Sequence, residues 1–129
     1  MLKKDETQSL HGRLEGGQSN LELLHTIKTD VELELFKAVY AYEEALSEKN
    51  KRKTRASRTW QMIDRRGIIE AAERAVDRDI ETAGYRVLVA MGLHDFTFEA
   101  VIVRYQDIFK PEVVARAKER LEELSKIEI

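Results

Sequence analysis

The sequence predicts an all-α protein, a compact single-domain bundle of five or six helices with a long first helix and a mobile N-terminal tail. Apolar residues recur every three or four positions over most of the chain, which is the helical period. The 129 residues include one proline and six glycines, few for a sheet protein with many tight turns. Charged residues make up 36% of the chain, above the ~25% usual for globular proteins, which suits solvated helix faces.

The predicted tail comprises residues 1–19. It contains little apolar surface beyond Leu2, Leu10 and Leu14. Too little can be buried there to offset the entropy lost on ordering the chain. The helical domain is therefore expected to span residues 20–129.

The first helix is predicted from Asn20 to about Ser47. Asp30 is a candidate N-cap that would divide it, and the alternation in "VELEL" leaves a short strand as the minority alternative. Whether this helix packs against a second copy of itself is left open, so a homodimer is one expected assembly. Its apolar stripe consists of Leu24, Ile27, Val31, Leu35, Val39, Tyr42 and Leu46.

Local signals delimit the shorter helices that follow. The second begins near Thr54 or Ser57, either of which can cap, and ends at Gly67, where glycine suits a left-handed position. A third apolar stripe then begins at Ile68 and continues to Val76. Two further helix boundaries are therefore predicted on either side of Gly67.

The remaining boundaries have signals of the same kind. Thr82 is expected to cap a fourth helix that ends at Gly92, and Asp95 to cap a fifth. Pro111 occupies the first turn of the last helix, where the missing N–H costs least. Four aromatic residues are expected to form a core cluster around the fifth helix: Phe96, Phe98, Tyr105 and Phe109.

The composition excludes several functional classes. Cysteine is absent, which removes disulfides, thiolate catalysis and cysteine-ligated metals. No apolar run approaches the ~20 residues that a membrane span needs. The first residues include two lysines without the apolar region of a secretory signal. The sequence therefore predicts a cytoplasmic protein that does not contact the membrane.

A basic segment is the main functional signal. Between residues 49 and 66 the chain has eight Lys and Arg against a single acid, Asp64, although the formal net charge of the whole chain is −2. The rest of the chain must therefore be strongly acidic, and such asymmetry indicates an interaction surface. The residues predicted to bind nucleic acid are Lys49, Lys51, Arg52, Lys53, Arg55, Arg58, Gln61, Arg65 and Arg66.

Helical geometry places Arg55, Arg58 and Gln61, and nearly Arg65, on one side of the second helix. Trp60 lies with Met62 and Ile63 on the side expected to be buried. Contacts between lysines or arginines and phosphates give affinity but carry little sequence information. Arg58 and Gln61 lie one helical turn apart, so both could reach base edges. The leading hypothesis is a non-catalytic, intracellular nucleic-acid-binding or nucleic-acid-associated accessory protein.

Two alternatives for the same segment stay open. It is also suited to an acidic protein partner, which would make the chain an adaptor or a small subunit of a larger complex. Otherwise it is a solvated helix face that pairs with the acidic remainder of the molecule.

No catalytic, metal or cofactor site is predicted. The Glu22–His25 spacing in "ELLH" resembles half of a di-iron motif, but no second copy exists. His94-Asp95 with Glu99 is the one conceivable seed for acid–base chemistry. Glu70 and Glu73 are expected to form a solvated acidic face. Because none of these residues forms an assembled catalytic site, the protein is predicted not to be an enzyme.

Overall fold

A computed structural model describes residues 17–127 of the chain. These residues form six α-helices and no strand, so the all-α prediction is confirmed. The predicted mobile tail lies outside the described residues up to position 16, and helix α1 begins at Gly17. The helices are α1 (Gly17–Asn50), α2 (Ser57–Arg66), α3 (Ile68–Val76), α4 (Ala83–Ala90), α5 (Phe98–Arg104) and α6 (Pro111–Ile127), with short 3-10 helices at His94–Phe96 and Gln106–Ile108.

The chain divides into two units, Met1–Asp30 and Val31–Ile129. The described part of the first unit is the beginning of α1. There the hydroxyls of Thr26 and Thr29 donate to the carbonyl oxygens of Glu22 and His25, four residues earlier. Asp30 lies inside α1 and does not cap it, and "VELEL" is helical.

The second unit contains the hydrophobic core. Helix α5 packs along α6, and α3 packs against both. Helix α1 adds an apolar stripe to this core and contacts α5 through its side chains, because Glu34 Oε1 lies 2.9 Å from Arg104 Nη2. The largest fully buried apolar side chains are Leu35, Ile102, Val31, Val39, Val76, Val101 and Val113.

Three of the predicted helix boundaries are observed. Gly67 has a φ of +85°, donates its N–H to Ile63 O at 2.8 Å and accepts from Ala71 N at 3.0 Å. It therefore ends α2 and begins α3. The Thr82 hydroxyl accepts from Tyr85 N at 3.1 Å at the start of α4, and Pro111 is the first residue of α6.

The prediction for the fifth helix is wrong in two respects. Thr97 caps it instead of Asp95: the Thr97 hydroxyl accepts from Ala100 N at 3.1 Å, while Asp95 lies in the preceding 3-10 helix. The expected aromatic core cluster is also incomplete. Phe109 is buried, but Phe96 is 44% exposed.

Helix α1 ends at Asn50, three residues beyond the predicted end. Lys51 follows in the left-handed region with a φ of 60°, and Arg52 N donates to Ser47 O at 3.2 Å. This backbone bond is the six-to-one bond of a Schellman motif, with lysine in the position where glycine is usual. No glycine marked this boundary in the sequence.

Candidate functional site

The segment between α1 and α2 is held by a set of local hydrogen bonds. Thr54 N donates to the Ser47 hydroxyl at 2.8 Å, and the Thr54 hydroxyl donates to Arg52 O at 3.0 Å. Asn50 Nδ2 also donates to the Thr54 hydroxyl oxygen at 3.2 Å. Lys49 belongs to the last turn of α1, because this helix continues past its predicted end at Ser47. The backbone that carries the lysines is thus tied to the end of α1.

Glu43 of α1 joins the start of α2 to the first helix. Its Oε2 accepts from Arg55 Nε at 3.0 Å, from Ala56 N at 2.9 Å and from Trp60 Nε1 at 2.6 Å. Burial pushes the pKa of Glu43 upward, but these three hydrogen bonds outweigh burial and leave the pKa below its ordinary value. One carboxylate oxygen therefore fixes three points of the segment that carries the basic residues.

Trp60 is an anchor for α2 and is not an exposed platform for bases. Its ring stacks on Phe36 at a centroid distance of 6.0 Å and lies 5.6 Å from Tyr40. The guanidinium carbon of Arg55 is 5.7 Å from the centre of the Trp60 ring, a cation–π contact. The side of α2 that carries Trp60, Met62 and Ile63 is half-buried, and none of its residues is fully buried.

The structure exposes all nine residues that the sequence predicts to bind nucleic acid. Arg55 precedes α2 and is not part of the predicted helix face, whereas Arg58, Gln61 and Arg65 are exposed on α2. We call these nine residues the basic surface: Lys49, Lys51, Arg52, Lys53, Arg55, Arg58, Gln61, Arg65 and Arg66.

Two of its eight cations have an acidic partner. Arg55 pairs with Glu43, and Arg66 Nη1 lies 3.2 Å from Glu70 Oε2. Glu70 also accepts from Arg74 Nε at 3.1 Å. The remaining six make no ion pair with any residue of the described chain: Lys49, Lys51, Arg52, Lys53, Arg58 and Arg65.

A partly open cavity of about 560 Å³ adjoins this surface. It lies among α1, α2, α3, α4 and the start of α5, and three arginines line it: Arg58, Arg74 and Arg78. Arg58 therefore belongs both to the basic surface and to the wall of the cavity. The sequence patterns did not indicate this cavity, because its walls come from residues that are far apart in the chain.

The other acidic residues singled out in the sequence have structural roles. Glu73 is only 9% exposed, and its Oε2 accepts from Lys110 N at 3.0 Å, so the predicted solvated face with Glu70 is wrong for Glu73. Glu99 is 2% exposed and pairs with Arg120, whereas Asp95 is exposed. Asp95 and Glu99 thus belong to different environments.

Among residues 17–127, no group of three or more His, Cys, Asp or Glu side chains is arranged to hold a metal ion. No helix in that range is long and apolar enough to cross a bilayer.

The apolar stripe of α1 bears on the expected homodimer. Val31, Leu35 and Val39 are at most 1% exposed within a single chain, so a dimer cannot use them without unfolding the core. Among the described side chains of α1, the exposed large apolar ones are Leu33 and Tyr40, at 55% and 56%. A homodimer through the first helix therefore stays a prediction, to be sought on that other face.

Comparison of the chain with protein-family models, with curated proteins and with solved structures finds no match.

Proposed function

We propose that the protein binds nucleic acid without catalysis, through the phosphate backbone, and that the basic surface is its contact site. The observation that carries the proposal is the set of six exposed cations that have no acidic partner among residues 17–127, although the chain as a whole is acidic. Had this segment served only as a solvated face for internal pairing, its cations would be expected beside the many carboxylates of the molecule.

The anchoring of the segment also supports the proposal. Glu43 and Trp60 hold α2 on α1, and the bonds of Thr54 hold the connecting loop. Less backbone entropy is then lost when the lysines contact phosphates, so more of the electrostatic free energy appears as affinity.

The expected binding is strongly salt-dependent and weakly sequence-dependent. Each phosphate neutralised by a lysine or an arginine releases a counterion, which gives a slope of about −0.9 per contact in a plot of log K against log salt for duplex DNA. Arg58, Gln61 and Arg65 are exposed on α2, and we expect any contacts to bases to come from these residues.

The test is fluorescence anisotropy with labelled single-stranded DNA, duplex DNA and RNA of mixed sequence, from low to moderate salt. The variant Lys51→Gln/Arg52→Gln/Lys53→Gln removes three cations from the basic surface. Its matched control, Lys28→Gln/Lys110→Gln/Lys126→Gln, removes the same charge from exposed positions elsewhere. We expect the first variant to weaken binding and to reduce the salt slope by about 2 to 3.

Two results would overturn the proposal. One is the absence of binding to all three nucleic acids at low salt. The other is an equal loss of affinity in the control variant, which would show that net charge alone matters. Binding of poly-glutamate but of no nucleic acid would instead establish the alternative function, an adaptor for an acidic protein partner.

A further inference from the structure

The inner end of the cavity is apolar, and its polar groups have partners. Leu88 and Tyr85 are almost fully buried there. The Tyr85 hydroxyl donates to Arg120 O at 3.2 Å, and the Thr97 hydroxyl donates to His94 O at 2.9 Å. The Glu99 carboxylate accepts from Arg120 Nη1 at 3.2 Å. The interior therefore suits the hydrocarbon or aromatic body of a ligand.

The open end of the cavity is positively charged. Arg58, Arg74 and Arg78, which line it, are exposed, whereas the residues of the inner end are buried. Arg74 is paired with Glu70. The guanidinium groups of Arg58 and Arg78 make no ion pair or hydrogen bond with another described residue. Two cations without partners thus stand at the opening.

The acidic residue of the cavity wall does not cancel the positive charge of Arg58 and Arg78. Glu99 is the sole carboxylate among the described residues that line the cavity, and Arg120 already compensates it. An anion at the opening would therefore meet two arginines and no uncompensated acid. Guanidinium groups bind carboxylates and phosphates by paired, charge-assisted hydrogen bonds.

We propose that the cavity binds a small anionic amphiphile: its apolar body lies among the side chains of α1, α4 and the start of α5, and its acidic head group is held by Arg58 and Arg78. The volume of about 560 Å³ falls within the range of ~300–1,000 Å³ of small-molecule sites. The shared chemistry of the ligand is one apolar body with one acid group, either a carboxylate or a phosphate monoester.

The proposal does not depend on nucleic-acid binding. Arg78 lies outside the basic surface, so its replacement tests the cavity alone. Arg58 contributes to both sites, and Arg65 offers the matched control on the same helix. Arg65 is exposed, makes no ion pair with a described residue and does not line the cavity.

The experiment is titration of the full chain with dodecanoate, dodecyl phosphate and uncharged dodecanol, each below its aggregation limit. Binding is followed by calorimetry and by amide chemical shifts in nuclear magnetic resonance. We expect one site for an anionic probe, with shifts concentrated at Gly84, Leu88 and Thr97. The carboxylate and phosphate arms identify the head group that the protein prefers.

Variants then test each half of the site. Arg58→Gln and Arg78→Gln are each expected to weaken anionic-probe binding by about tenfold, as for loss of a hydrogen bond to a charged group. Arg65→Gln should leave it unchanged. Ala75→Leu, which adds bulk at a half-buried wall position, should reduce the affinity for every probe.

Three outcomes would overturn the proposal. If dodecanol bound as tightly as the anionic probes, the arginines would not contribute to the affinity. Shifts outside the cavity would place the probe elsewhere, and no saturable binding of any probe would show that the cavity holds no such ligand. Intact nucleic-acid binding in Arg78→Gln, whatever the result for the probes, keeps the two proposals separate.

Discussion

Glu99 and Arg120 form an ion pair in the interior of the second unit, with 3.2 Å between Oε2 and Nη1 and only 3% and 12% of their side chains exposed. Arg120 also donates to Val76 O at 2.8 Å and to Arg78 O, at the end of α3 and just beyond it. One guanidinium group therefore connects α6 with α5 and with the end of α3. Burial raises the pKa of Glu99 above its ordinary value, with the charge of Arg120 acting in the opposite direction.

Replacing Arg120 alone should be far more damaging than replacing both partners. We expect Arg120→Met to lower the free energy of unfolding by about 3–5 kcal/mol, because it leaves a buried carboxylate without compensation. The double variant Glu99→Met/Arg120→Met removes both charges and should lose only about 1–2 kcal/mol, from the uncapped carbonyl groups. Urea denaturation followed by circular dichroism measures both. Equal losses would mean that the ion pair itself is unimportant.

Tyr85 should make the stability fall in alkaline solution. Burial, and then the negative charge of Glu99, raise its pKa from 10.0 to about 12. Below pH 10 the phenol is protonated in both the folded and the unfolded chain, so its full contribution is present. Between pH 10 and 12 the unfolded chain loses the proton and the folded chain keeps it, so the free energy of unfolding falls as pH rises.

Ultraviolet titration of the four tyrosines tests this expectation. One phenol should ionise later than the others, and Tyr85→Phe should remove that late step and the associated alkaline loss of stability. Tyr40→Phe, at a position 56% exposed, is the control and should leave the late step in place. A late step that persists in Tyr85→Phe would assign the raised pKa to another residue.

Glu43→Ala should loosen α2 from α1. The substitution leaves the indole N–H of Trp60 and the backbone N–H of Ala56 without their acceptor, so we expect a loss of about 2–3 kcal/mol in the free energy of unfolding. The neighbouring Glu44 is exposed, and Glu44→Ala should change stability by less than about 0.5 kcal/mol. The two variants are compared by urea denaturation. Similar effects in both would contradict the anchoring role of Glu43.

Two glycines should respond in opposite ways to alanine. Gly67 has φ 85° and ψ 160°, a region that residues with a Cβ rarely adopt, so Gly67→Ala should cost about 1–3 kcal/mol although space around it is open. Gly84 lies inside α4, and an added Cβ would sit 3.6 Å from the Tyr42 ring, an ordinary contact. Gly84→Ala should leave the melting temperature unchanged or raise it, because alanine favours the helix. Calorimetric melting curves of both variants distinguish the two cases.

Sequence patterns predicted those features whose cause is local. Gly67, Thr82 and Pro111 act on the backbone within a few residues of themselves, so the boundaries they set were readable from the chain. The end of α1 was misplaced because Lys51 adopts the left-handed conformation without being glycine. Asp95 and Thr97 are both good capping residues, and only the three-dimensional course of the chain selects Thr97.

In the candidate site, too, only the features with a local cause could be predicted from the sequence. The exposure of the basic surface could be predicted from its high density of positive charge, since cations without a compensating partner are rarely buried. The roles of Glu43, Glu73 and Glu99 did not follow, because their partners are Trp60, Lys110 and Arg120, between 17 and 37 residues away. Helical periodicity identifies a face but not the residue that it meets. The cavity was beyond prediction for the same reason.

The position of Trp60 gives the protein an optical reporter of its own. It is the only tryptophan in the chain, so all indole emission comes from the junction of α1 and α2. Its hydrogen bond to Glu43 and its contact with Arg55 make that emission sensitive to whatever displaces either charge. Trp60 does not line the cavity. Unlabelled protein can therefore signal events at the basic surface by its fluorescence.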